Sequence, residues 1–322
     1  MNKRILSIVA ISFLVFSCKK EATKDTPKLE YEIVTEDIDN FWEAFDALGT
    51  SQDSVATFQT MFIDKATPEF KKFLELRGFF TEEYVNLSKN NKKFLNSIRP
   101  ILKSIKNNRK EYDKVYESMN ELYPAFKAPD ICFAISPLRT GGTTSKGLML
   151  IGSEIAAANP NTVDLSEISG VLKKILENRK GNILHLVAHE MIHTQQPIGD
   201  NANESLLSQA IIEGAASFIS TIIMKEQTMS LAIFNYGESH EKELWLEFYE
   251  DVQQNKGFKD TDWFYNYFSN RPPDLGYYIG YKICESYYNE TEDKKLAIKK
   301  IIEMEDANSF LENSKYISKF NK

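Results

Sequence analysis

The sequence predicts a mainly helical α+β protein, and three observations carry that expectation. From Tyr31 to about Phe126, apolar and aromatic residues such as Phe41, Phe45 and Leu48 recur at three-to-four spacing, as amphipathic helices require. After Pro129 the pattern changes to two short apolar runs, 131–136 and 147–152, separated by Pro137 and a Gly-Gly-Thr-Thr stretch, which predicts a small sheet. Helical periodicity then returns over residues 182–196 and 204–218, which carry three of the four histidines and the glutamates Glu190, Glu204 and Glu213.

Taken from the amino terminus, Lys3 and Arg4 precede an uncharged stretch from Ile5 to Ser17 that ends at Cys18. That order of charge and apolar residues is a secretion signal over residues 1–17, too short for a confident membrane span. Val15-Phe16-Ser17-Cys18 approximates a bacterial lipobox, although Phe16 departs from the small residue usual there, so Cys18 is expected to be lipidated and to hold the chain on the cell-envelope membrane, at its periplasmic or cell-surface face. An uncleaved signal anchor and simple secretion are the alternatives. Residues 18–30 carry no apolar pattern and read as a polar tether. Residues 31–126 form the expected helical region, and 127–322 the domain with the chemistry.

Composition bounds the rest. With 42% hydrophobic and 26% charged residues, the chain can bury the core of one or two exported domains. The net charge of −7 and the absence of a basic patch leave a nucleic-acid partner without electrostatic support. Cys132 and Cys284 lie in apolar runs without a C-x-x-C spacing, so buried free thiols are expected, with a disulfide as the alternative in an oxidising compartment. Gly141-Gly142 lacks the spacing of a phosphate loop and reads as a hairpin connection. A helix is expected from Asp164 to Asn178.

Residues 185–196 contain His189, Glu190 and His193 as H-E-x-x-H, the zinc-hydrolase signature. Residues four apart lie about 40° apart around a helix and one turn along it, so both imidazoles face one metal ion. Glu190 follows the first histidine by about 100°, where its carboxylate borders the ion and is placed to take a proton from a water on the metal. Asn182 is the expected N-cap of this helix and Pro197 its stop.

Two histidines under-coordinate a catalytic zinc ion, which takes three protein ligands and keeps one position open. The next helical segment places Leu206, Ala210, Glu213 and Ser217 on one side, which makes Glu213 the first candidate for the third ligand. Gly214, Ala215 and Ala216 beside it would allow a close approach of the two helices. Glu204 is the rival, although an acid there also suits the start of a helix, and Asp200 is a weaker third choice.

The H-E-x-x-H motif followed by a helix bearing Glu213-Gly-Ala-Ala resembles the gluzincin metallopeptidases, whose third ligand Glu213 matches. More narrowly, the lipoprotein signal, Phe41-Trp42, the E-G-A-A-S-F stretch and Gly276-Tyr-Tyr-Ile-Gly280-Tyr281 look like the predicted zinc-dependent proteases related to gliding-motility lipoprotein B. The likeness spans most of the mature chain. It implies a zincin-like α+β domain holding Zn2+ and acting on a peptide or protein substrate. In zincin folds a strand beside the active helix pairs with the substrate, and residues 148–151 are the expected one.

Amide hydrolysis also needs a donor for the oxyanion. Tyr277, Tyr278 and Tyr281 begin an aromatic helix after Pro272, Pro273 and Gly276; Tyr278 and Tyr281 are the candidates, with aromatic packing as the alternative reading. His240 lies in a polar stretch and reads as a surface histidine, and His185, one turn before His189, as a supporting or structural one. The competing account of the whole chain is a non-catalytic lipoprotein that uses the same fold as a scaffold in a surface or gliding-motility assembly.

Overall fold

The computed structural model describes residues 29–178, 181–197, 205–267 and 270–320. The secretion signal, Cys18, Asp200 and Glu204 lie outside the described residues.

The chain enters through a strand that the sequence pattern does not announce. β1 (Ile33–Val34) pairs in parallel with β2 (Asp130–Ala134), Ile33 beside Ile131 and Val34 beside Cys132. Six helices separate those two strands: α1 (Glu36–Ala47), α2 (Ser54–Phe58), α3 (Pro68–Arg77), α4 (Thr81–Asn90), α5 (Lys92–Ser104) and α6 (Arg109–Leu122). Local chemistry sets their ends. Asp53 caps α2 by accepting from the Val55 and Ala56 amides, and Thr67 caps α3 with Pro68 in its first turn, while Gly78 closes α3 at a φ of 60°. Phe41, Phe58, Phe62, Phe70 and Tyr84, from successive helical segments, turn inward and meet mostly edge to face, with centroids 5.0–6.4 Å apart. Asp37, wholly buried on α1, accepts from the Thr67 amide at 3.0 Å and its hydroxyl at 2.6 Å, tying α1 to the start of α3.

The sheet is completed by β3 (Gly142–Ser145) and β4 (Leu148–Gly152), in the order β1-β2-β4-β3, with β3 antiparallel to β4 and the rest parallel. The two apolar runs are therefore strands, as expected, but their neighbours differ from expectation. Leu148 to Ile151 are flanked on both sides, and the edge belongs to the polar Gly-Thr-Thr-Ser strand. Gly142 begins that edge strand, and the β3–β4 turn is made at Lys146 and Gly147, where Gly147 takes a φ of 71°.

After the sheet in chain order come α7 (Ser153–Ala156), α8 (Gly170–Glu177), α9 (Ile183–His193), α10 (Leu206–Met224), α11 (Leu231–Gln253), α12 (Leu275–Glu290), α13 (Lys294–Ile302) and α14 (Ala307–Asn313). α8 is shorter than expected, because Asp164 spends its carboxylate on the Ser166 amide in a turn and the helix begins only after Ser169. α10 is apolar on nearly all sides and long enough to cross a membrane, yet it is mostly buried within this fold. It lies against α9 on one side and α12 on another, and one hydrophobic core runs from the N-terminal helices through the sheet to these three. Cys132 and Cys284 are buried free thiols within it.

Candidate metal centre

α9 starts where Asn182 accepts from the Leu184 amide, so the cap read from the sequence is present. From there His189 and His193 fall on one face. Their Nε2 atoms lie 3.1 Å apart, and Glu213 Oε2 on α10 stands 3.4 Å from the first and 3.3 Å from the second. Local helix geometry thus brings both histidines together, and the packing of α10 across α9 supplies the carboxylate.

Each of the three side chains keeps 12–17% of its surface accessible, so the donors meet at the floor of a cleft and not in sealed core. The cleft has a volume of about 1250 Å³. Gln209, one turn before Glu213, donates from Nε2 to Oε1 at 3.1 Å, which leaves Oε2 turned toward the imidazoles. Burial disfavours charge here, yet Glu213 and its neighbours outweigh that cost. The His193 pKa is pushed up to about 9, and the Glu213 carboxyl is held far below its usual range by the two histidines.

Two imidazole nitrogens and one carboxylate oxygen, mutually within 4.8 Å, form the donor set and spacing that zinc takes in an open catalytic site. Glu190, the next residue after the first histidine, is 8% exposed and faces the edge strand: a Cβ placed on Gly142 would stand 2.6 Å from its Oε1. Only glycine leaves that carboxylate its place.

Of the three tyrosines at the start of α12, the structure brings Tyr277 to the centre. Its ring lies nearly parallel to that of His189, at 6.2 Å, and it borders the cleft beside Glu213. Burial, then the Glu213 charge, pushes the phenol pKa well above its ordinary value, so the group keeps its proton. Tyr278 and Tyr281, the residues expected to reach the cleft, are directed elsewhere. The Tyr278 hydroxyl donates to Glu238 at 2.9 Å with its ring over Gly237, and Tyr281 packs on Phe218 and Phe234. Tyr265, on the loop before α12, also borders the cleft close enough for Glu213 to raise its pKa, after burial.

The remaining histidines stand apart from the three candidate ligands. His185 Nε2 is 2.8 Å from Glu226 Oε1, a supporting contact at the cleft wall. His240 sits at a kink in α11, with Nδ1 2.9 Å from the Tyr236 carbonyl and its ring stacked on Tyr236. Gly214 also departs from expectation. A Cβ there would collide with the backbone of Gly280 and Tyr281, so Gly214 admits α12 and not α9.

Fold and site together define a mainly helical α+β protein with a two-histidine, one-glutamate cluster at the floor of an open cleft. A family model described as gliding motility protein GldB matches residues 17–318, and the chain belongs to that family. The match supports the relation to gliding-motility lipoprotein B read from the sequence, and its description names no peptidase. No curated protein and no solved structure matches the chain.

Proposed function

We propose that this protein is a lipid-anchored, zinc-dependent peptidase of the cell envelope. The single observation that supports it most is the convergence of His189, His193 and Glu213 beside Glu190 in an accessible cleft. A zinc ion held by those three residues would polarise a peptide carbonyl and acidify a water molecule. Glu190 takes the proton of the attacking water and passes it to the leaving amine nitrogen. Gly142 keeps the wall at Glu190 free of side chain. The segment Thr140 to Thr144, which runs into strand β3, borders the cleft, and β3 pairs among the described residues with β4 alone. Its other edge can take an extended peptide by strand addition. Tyr277 lines the same cleft, with its ring nearly parallel to that of His189. Lipidation at Cys18 fits the lipoprotein signal and the family match.

The second reading is a scaffold in a gliding-motility assembly, favoured by the family match, whose description names motility and no reaction. The test is elemental analysis and cleavage of a quenched peptide library by the purified protein, with Glu190→Gln and His193→Ala alongside. One zinc per chain, with cleavage lost in Glu190→Gln while its zinc remains, supports the peptidase. Stoichiometric zinc without cleavage of any library member favours the scaffold, and absence of zinc from the wild type defeats the hydrolase reading.

A further inference from the structure

Gln196 lies just past the C-terminus of α9, three residues beyond His193. Its side chain spans two elements of the metal centre. Oε1 is 2.7 Å from His193 Nδ1, and Nε2 donates at 3.0 Å to the backbone carbonyl of Ile212, the residue before Glu213. A backbone carbonyl can only accept, so the amide must turn its NH2 toward Ile212. Its oxygen then faces His193 and can only accept in turn, which requires the proton on Nδ1. The lone pair of neutral His193 is thereby placed on Nε2, the nitrogen that faces His189 and Glu213.

We infer that Gln196 is a positioning residue for the metal centre: through one amide it sets the tautomer of His193 and holds the end of α9 to the turn of α10 that carries Glu213. The inference rests on the metal-site reading above and adds a determinant of affinity that lies outside the H-E-x-x-H motif. Without Gln196, His193 is free to place its proton on Nε2 and to rotate about its side-chain bonds. Metal binding then includes the cost of restoring the tautomer and ring orientation.

The test is zinc affinity of the full-length chain in detergent, by competition with a chromophoric chelator, for wild type, Gln196→Ala and Gln196→Glu. Removing such an outer partner is expected to weaken binding about 10- to 100-fold in Gln196→Ala. Glutamate retains an acceptor for the Nδ1 proton, so Gln196→Glu should recover most of that loss even though its bond to Ile212 is gone. Nitrogen-15 spectra of the zinc-loaded protein should show a protected His193 Nδ1 proton in the wild type that exchanges rapidly in Gln196→Ala. Equal loss in the Ala and Glu variants, tracking a fall in metal-free thermal stability, would make Gln196 a packing residue and overturn the inference. Equal affinity of wild type and Gln196→Ala would overturn it alone, whereas a wild type that takes up no zinc would remove the metal reading and this inference together.

Discussion

Gly280 on α12 rests directly on Ala210 of α10, so that a Cβ on Gly280 would fall on the Ala210 carbonyl oxygen, with the Gly214 Cα 3.1 Å away. The obstacle is helix backbone, which cannot swing aside as a side chain does. Gly280→Ala is therefore expected to push the two helices apart, at a cost of about 1–3 kcal/mol for overpacking. Glu213 lies less than one turn beyond Ala210, so zinc affinity should fall as well. Chemical denaturation and zinc titration check both effects. Gly49→Ala is the control, since nothing lies within 4 Å of a Cβ there.

Gly142 offers the opposite case. A Cβ there would meet Glu190 Oε1 at 2.6 Å and Cδ at 2.7 Å, and the obstacle is the far end of a flexible side chain. Gly142 is also not among the glycines at positive φ, so alanine fits its backbone. Gly142→Ala should keep the fold and the zinc content while displacing the proposed general base. A misplacement on the order of 1 Å costs about 100-fold in rate, so peptide cleavage should fall about that far at unchanged metal stoichiometry. Full activity would mean that the position of Glu190 does not govern the reaction.

What was legible in the sequence follows from distance along the chain. His189, Glu190 and His193 are fixed relative to one another by a single helix, and the Asn182 cap and the downstream Glu213 helix are also local patterns. The choice among Tyr277, Tyr278 and Tyr281 is not local, because it depends on how α12 is rotated against α10. The contact of Gly280 with Ala210 and Gly214 sets that rotation: Tyr277, three residues earlier, shares the face of Gly280 and turns to the His189 ring, and Tyr278 points about 100° away, to α11. A tyrosine three residues before a buried glycine was the available signal. The edge strand escaped for another reason. Gly-Thr-Thr-Ser has no apolar alternation, and only pairing with β4 makes it a strand, as only pairing with β2 makes one of Ile33 and Val34.

Glu154 should matter for the cleft without touching it. The side chain is wholly buried, and its Oε1 accepts from the Ser136 amide at 3.0 Å, the Ser136 hydroxyl at 2.8 Å and the Leu138 amide at 2.8 Å. These bonds hold the turn in which Leu138 adopts a φ of 59° and which leads into Thr140 to Gly142 on the cleft wall. Glu154→Ala strands two backbone donors at about 1–3 kcal/mol each, so a loss of roughly 2–6 kcal/mol is expected from denaturant unfolding. Glu154→Gln keeps an oxygen at the Oε1 position and should lose distinctly less. Similar losses in the two variants would indicate that volume, and not the acceptor, holds the turn.

In the metal-free protein the pair His193 and Glu213 should give stability a definite dependence on pH. Burial opposes the His193 charge, but the charge and hydrogen bond of Glu213, with Glu190 and Gln196, outweigh it and raise the pKa to about 9. The folded state then holds this proton more tightly than the unfolded chain, where histidine titrates near about 6.5. The resulting stabilisation is complete below that value and is lost as pH rises through about 9. The Glu213 contribution has the other sign: its depressed pKa stabilises above the unfolded carboxylate value and disappears only in strong acid. Zinc has to displace the His193 proton, so its affinity should climb across the same interval in which the metal-free protein weakens. Melting temperatures in excess chelator should therefore fall between about pH 6.5 and about pH 9, and zinc should restore them by an increasing margin. Glu213→Gln should flatten the chelator profile, because it removes the charge that holds the proton. A flat profile in the chelated wild type would show instead that His193 is neutral in the folded chain and that Glu213 carries its charge without that partner.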